Sequence, residues 1–174
     1  MTAAFDEFFM RMALREAERA AVEGEVPLGC VIVAPAVLEP AHDGHQAVYD
    51  PDPSNARVLS RTRNQTEGLA DATAHAEVLA VSSASQVVGD WRLTGARLYV
   101  TKEPCPMCAG AIVLARLDAV VWGASDPKRG GGTVFGIFSH PGINHHPKTV
   151  SGVLEEEAKS ILQSFFRYRR GDMV

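Results

Sequence analysis

Two short stretches of this chain pass abruptly into apolar helical runs, and each places metal-binding side chains at the passage. The first is Asp71-Ala72-Thr73-Ala74-His75-Ala76-Glu77-Val78-Leu79, where Thr73 reads as an N-cap and His75 and Glu77 fall in the first helical turn. The second is Lys102-Glu103-Pro104-Cys105-Pro106-Met107-Cys108-Ala109-Gly110-Ala111-Ile112, entered from a strand expected at 96–101, with Pro106 suited to opening a helix. Cys105 and Cys108 then share one helical face, at an N-terminus whose free amides and dipole favour thiolate. For His75, Cys105 and Cys108 to share a metal, the fold must bring these two helix starts together.

Three protein ligands of the His and Cys type leave the fourth tetrahedral position of zinc open, which is the mark of a catalytic rather than a structural site. Zinc ionises a bound water near neutral pH, and Glu77 stands two residues from His75 as the carboxylate able to carry its proton. A lone Cys-x-x-Cys also describes a zinc knuckle or a redox pair, and a lone His-x-Glu means little. Together they favour catalysis over a structural zinc module, and Glu77 argues against a catalytically silent relative.

The rest of the chain reads as a layered α/β domain. A first helix is expected at 4–23, with Phe5, Phe8, Phe9, Met12 and Ala20 at helical spacing and Gly24 at its C-terminal end. A buried strand follows at 26–33 and another strand at 57–62, then the His75 helix, the strand at 96–101, the Cys105 helix, another strand, a loop-rich stretch and a final helix. With 174 residues, 46% of them hydrophobic, one domain over 1–174 is expected. Residues 34–56, broken by Pro35, Pro40, Pro51 and Pro53, read as a long surface loop; its His42 and His45 lack companion ligands and read as solvated. Three cysteines without an export signal argue against a disulfide framework and for a cytoplasmic protein, with no membrane span, and Cys30 within its apolar run reads as packing. A net charge of −4 excludes bulk electrostatic coating of nucleic acid. Local basic groups remain: Lys128-Arg129 before the flexible run Gly130-Gly131-Gly132, and the closing Arg167-Tyr168-Arg169-Arg170.

His-x-Glu with Pro-Cys-x-x-Cys is the signature of zinc base deaminases. The chain resembles the bacterial tRNA-specific adenosine deaminases (TadA), in the cytidine/deoxycytidylate deaminase superfamily, over nearly its full length. The resemblance rests on Glu25-Val26-Pro27-Leu28-Gly29, Ala74-His75-Ala76-Glu77, Glu103-Pro104-Cys105-Pro106-Met107-Cys108-Ala109-Gly110-Ala111, His140-Pro141-Gly142-Ile143-Asn144-His145 and Ser164-Phe165-Phe166-Arg167-Tyr168-Arg169-Arg170. It implies a three-layer α/β/α cytidine-deaminase-like fold on a mixed sheet of about five strands, one zinc ion per subunit, a homodimer, and adenosine-to-inosine conversion at the wobble position of a tRNA anticodon arm. It further implies that Glu77 shuttles protons, that Asn64 binds the purine, and that Asp126 meets the RNA backbone. By the same resemblance Asn144 and His145 approach the flipped-out nucleotide. Phe165 and Phe166 continue the apolar face of Leu154, Ala158, Ile161 and Leu162, so the final helix is expected to pack through them and to position Arg167, Arg169 and Arg170. Asn64 by itself is only an Asn ending a strand, and Asp126 a loop aspartate. A deaminase of a free base or nucleoside, of guanine or cytosine type, would share the zinc site without needing the basic aromatic terminus. The stretch at 34–56 departs from the family as an insertion, expected at the end of the sheet away from the zinc.

Overall fold

A computed structural model describes residues 1–41, 45 and 47–171; His42 lies outside them, and His45 is exposed. Helix α1 (Ala3–Val22) begins at Thr2, whose hydroxyl accepts the Phe5 amide at 3.2 Å. Its buried stripe of Phe5, Phe9, Met10, Ala13, Leu14, Ala17 and Ala20 follows the helical period, and Gly24 just beyond it takes φ +80°. Strand β1 (Gly29–Ala34) starts three residues later than the apolar run suggests, because Pro27 has no amide for a ladder and Leu28 N–H bonds Val26 O in a turn.

The stretch at 34–56 is more ordered than its composition implies. Strands β2 (Val37–Glu39) and β3 (Val48–Tyr49) pair antiparallel in a small separate sheet, and a 3₁₀ turn at Pro53–Asn55 is capped by Asp52 accepting the Ser54 amide at 2.8 Å. Such short pairings leave almost no periodic signal in a sequence. The chain continues through β4 (Arg57–Arg63), α2 (Ala76–Val88), β5 (Arg97–Lys102), α3 (Pro106–Leu114), β6 (Ala119–Ala124), β7 (Lys148–Val150) and α4 (Glu155–Arg170). β7 falls in the stretch read as loop; its three residues are all exposed, so nothing in their hydrophobicity marks a strand.

The main sheet is mixed and five-stranded, in the order β4-β1-β5-β6-β7, with β1 antiparallel to both neighbours and β5, β6 and β7 parallel. Alternation sorts its side chains: Cys30, Ile32, Leu98, Val100, Val120 and Trp122 pack on α2 and α3, whereas Val31, Val33, Tyr99 and Val121 pack on α1 and α4. The result is the expected three-layer α/β/α fold. Gly29 sets the spacing of one layer, since a Cβ there would lie 2.0 Å from Ala13 O and 2.6 Å from Ala17 N.

Register defines the two ends of the sheet. Gly29 pairs with Arg63 and Lys102 with Ala124 at one end, while Ala34 pairs with Arg57 and Arg97 with Ala119 at the other. The 34–56 stretch leaves and re-enters at this second end, where the Tyr49 hydroxyl donates to Asp118 at 3.2 Å beside a cleft of about 980 Å³. No helix among the described residues is long and apolar enough to cross a membrane.

Candidate active site

The two helix starts meet at the first end of the sheet. The Thr62 hydroxyl donates to Ala76 O at 2.7 Å and the Gln65 amide to Ala74 O at 3.0 Å, fixing the start of α2 on the end of β4. The Glu103 amide donates to Ala124 O at 2.8 Å, which aims the β5–α3 turn across the same edge. His75 and Cys105 are themselves the N-caps, both with extended backbone and neither with a side-chain cap bond, so their side chains are directed at each other rather than at the helices. Thr73 is therefore not the cap: its hydroxyl is taken by Asp71 at 2.7 Å.

His75 Nδ1 lies 3.6 Å from Cys105 Sγ and 3.4 Å from Cys108 Sγ, and the two sulfurs are 3.6 Å apart. One donor atom from each residue falls within 4.8 Å of the others. The Cys105 thiol is held down at about 4 by the hydrogen bond from the Cys108 thiol, with His75 and the Cys108 amide adding to it. Giving that bond, together with burial, pushes Cys108 above the usual thiol range. His75 is raised, mainly by its bond to Cys105. Cys30, fully buried in the α2/α3-side core, has its thiol pushed well up by desolvation and takes no part in the group.

Glu77, the second residue of α2, is 3% exposed, and its Oε2 has no hydrogen-bond partner among the described residues. Burial is the main cause that raises its carboxyl above the ordinary value. An unpaired buried carboxylate oxygen beside a His/Cys/Cys group is a costly arrangement for packing alone. It fits a soft metal bound by the three donors, with the carboxylate serving the chemistry next to it.

The other residues singled out in the sequence divide by location. Asn64 is buried, one residue before the Gln65 that holds Ala74. Asp126 pairs with Lys102 and accepts the amides of Lys128 and Arg129 at 2.9 and 3.0 Å, so it organises the loop after β6. Asn144 and His145 are not brought to the cluster. Asn144 accepts from Arg116 at 2.6 Å and His145 bonds Leu117 O at 2.6 Å, both beyond the far end of α3, about 15 Å along the helix from Cys105. Parallel β7 pairs Lys148 with Ala119, which fixes the segment before it at the end of the sheet away from the site. In α4, Phe165 is buried but Phe166 is 43% exposed, so only the first of the pair packs. Arg169 lies over the Phe165 ring and donates to Gly24 O at 2.8 Å, while Arg167 bonds Ser164 at 3.4 Å.

Glu25 and Glu103 are buried carboxylates to which the sequence assigned no role. Glu25 accepts from Asn64, Thr66, Glu67 and Gly68, and Glu103 accepts from Asp126, Thr133 N and Thr133 Oγ1. The signal for them was that each opens a segment carrying the family resemblance. The glycine run is also not a flexible hinge. Gly130 and Gly131 are buried, the Gly131 amide donates to Pro104 O at 2.8 Å, and a Cβ on Gly131 would stand 2.7 Å from Ala109 Cβ. These glycines let the loop close over the Pro104-Cys105 turn.

A sequence model of the MafB19-like deaminase family matches residues 5–170. The chain is 43% identical over 166 residues to the tRNA-specific adenosine deaminase of Bacillus subtilis, covering 95% of this chain and 91% of that one. It is 38% identical to the enzyme of the same name from Aquifex aeolicus, covering 97% and 98%. The chain belongs to the tRNA-specific adenosine deaminase family. A structure from a study of A-to-I editing by tRNA:A34 deaminases at the wobble position of transfer RNA superposes with TM-score 0.73 at 40% identity, covering 89% of this chain and 99% of that one. A guanine deaminase from Nitrosomonas europaea shares the fold alone, at 18% identity and TM-score 0.69, covering 91% of this chain and 83% of that one.

Proposed function

We propose that this protein hydrolytically deaminates adenosine to inosine at the wobble position of a tRNA anticodon, with one zinc ion per subunit held by His75, Cys105 and Cys108. The observation that carries the reading is the convergence of these three donors with the buried, unpartnered Glu77 oxygen. Bound zinc supplies Lewis acidity that ionises water near neutral pH. Glu77 takes the proton of the attacking water, places it on purine N1, and then delivers a proton to the C6 amine, which leaves as ammonia. Asn64 follows directly on β4 and precedes Gln65, whose amide holds Ala74 beside His75, and the buried surroundings of Glu77 keep bulk water from competing for its proton.

RNA engagement is local rather than global. Arg169 is anchored to Gly24, next to the Glu25–Asn64 cluster, so the basic end of α4 lies at the same end of the molecule as the site. In support of a homodimer, α3 exposes Met107 and Leu114, seven residues apart on one face, and the loop after the glycines exposes Val134 and Phe135. A tRNA substrate implies a cytoplasmic setting.

The test uses an anticodon-arm hairpin with adenosine at the wobble position, with free adenosine and guanine alongside. Inosine is expected in the hairpin alone, and Glu77→Gln, checked for retained zinc, should lose roughly 10²- to 10⁴-fold in kcat/KM. Ammonia from free guanine with the RNA untouched would overturn the substrate and leave a free-base deaminase.

A further inference from the structure

Glu25 sits between α1 and β1 with 3% exposure, and no cation pairs with it among the described residues. Its charge is met instead by four donors. Oε1 accepts the amides of Glu67 at 2.9 Å and Gly68 at 2.8 Å; Oε2 accepts Asn64 Nδ2 at 3.0 Å and the Thr66 hydroxyl at 3.2 Å. The second Nδ2 hydrogen of Asn64 goes to Thr66 Oγ1 at 3.0 Å. Thr66 must give its one hydroxyl hydrogen to Glu25 in order to accept from Asn64, so the directions around this ring are determined. An ionised carboxylate only accepts, which forces the amide nitrogen of Asn64 toward Glu25 and turns its Oδ1 the other way. Among the described residues Oδ1 has no protein partner.

We propose that Glu25 is a positioning residue: it locks the side-chain amide of Asn64 and the 64–68 turn beside the His75–Cys105–Cys108 group, so that Asn64 offers the nucleotide a carbonyl acceptor. The inference rests on the reading of Asn64 as a substrate-binding group. A neutral Gln at position 25 keeps the volume but sets an NH2 group against either the two backbone amides or the Asn64–Thr66 pair; the backbone amides cannot turn, so the clash is relieved by facing the NH2 to Asn64 and turning the Asn64 amide over.

Two measurements on the zinc-loaded protein test this. In the first, kcat/KM on the wobble hairpin is compared for wild type, Glu25→Gln, Asn64→Ala and the double variant. Glu25→Gln should fall roughly ten- to a hundredfold, with little further loss when added to Asn64→Ala. Multiplicative losses would overturn the proposal, since Glu25 would then act by another route. In the second, the Asn64 side-chain amide protons are followed by ¹H–¹⁵N NMR without substrate. They should be shifted and slow to exchange in wild type and lose both properties in Glu25→Gln; unchanged resonances and exchange would overturn it. A wild type that leaves the hairpin untouched would defeat the proposed function, and the NMR comparison would still decide whether Glu25 orients Asn64.

Discussion

Gly131→Ala puts the packing of the site to a direct test. An added Cβ would lie 2.7 Å from Ala109 Cβ, 2.9 Å from Pro104 O and 3.0 Å from Cys105 O. Ordinary contact between two carbons is about 3.5–4.0 Å, so the loop must lift by most of an ångström or the Pro104-Cys105 turn must retreat. Neither yields cheaply: the Gly131 amide is bonded to Pro104 O, and Cys105 O accepts the Ala109 amide at 2.8 Å in the first turn of α3. Overpacking of this kind costs about 1–3 kcal/mol. The smaller entropy of the unfolded Ala chain returns about 0.4–1 kcal/mol. A net loss of about 1–2 kcal/mol lowers Tm by roughly 2–8 °C for a chain of this length. Because the displaced carbonyl belongs to Cys105, kcat/KM on the wobble hairpin should drop by about tenfold or more even in protein that retains one zinc, as small misplacements of reacting groups do. Calorimetry, metal analysis and steady-state kinetics on the same preparation decide it. A variant with unchanged Tm and unchanged kcat/KM would show that the loop does not close on the cysteine turn.

Gly29→Ala drives a carbon against the Ala13 carbonyl and the Ala17 amide of α1; separating α1 from β1 to relieve this should cost more than about 3 kcal/mol, and a soluble variant with a native urea midpoint would refute the close approach. Burial alone would raise the Asp126 carboxyl, but Lys102 and the amides of Lys128 and Arg129 lower it from 3.8 to about 2. Its folded value is depressed, so the stabilisation, about 2 kcal/mol, is present above pH 4 and disappears as pH falls toward 2. Lys102→Met should flatten acid unfolding in that window, and an identical pH profile would refute the pairing. Replacing the excursion between Ala34 and Arg57 with a short turn should leave kcat/KM within about threefold of wild type, because it joins the sheet at the end away from His75; loss of activity in a folded, zinc-loaded variant would count against this.

The His75, Cys105 and Cys108 group, which could hold a metal, was legible in the sequence because each of its halves is local. A histidine at the entry to an apolar run and a Cys-x-x-Cys around a helix-opening proline mark two helix starts, and the i, i+3 spacing of a single turn puts both sulfurs on one face. The layered fold was legible for a related reason: runs such as Val31–Val33 and Leu98–Val100 are apolar on both faces, which only a strand covered on both sides requires. Short exposed pairings such as β2 with β3, and β7, were not legible, since three residues open to solvent carry no pattern.

What only the tertiary structure decided depends on contacts between residues far apart in the chain. Asn144 and His145 share a motif with the family, yet the parallel register of β7 on β6 holds them away from the cysteines. Gly130, Gly131 and Gly132 read as a flexible run, whereas Glu103, Pro104 and Phe138 occupy the space their side chains would need. Glu25 and Glu103 had no assigned role in the sequence, and each is buried because the backbone amides of a loop distant in sequence converge on it. Local spacing determines which side chains can bind a metal; long-range packing determines which neighbours hold them in place and which face is offered to the substrate.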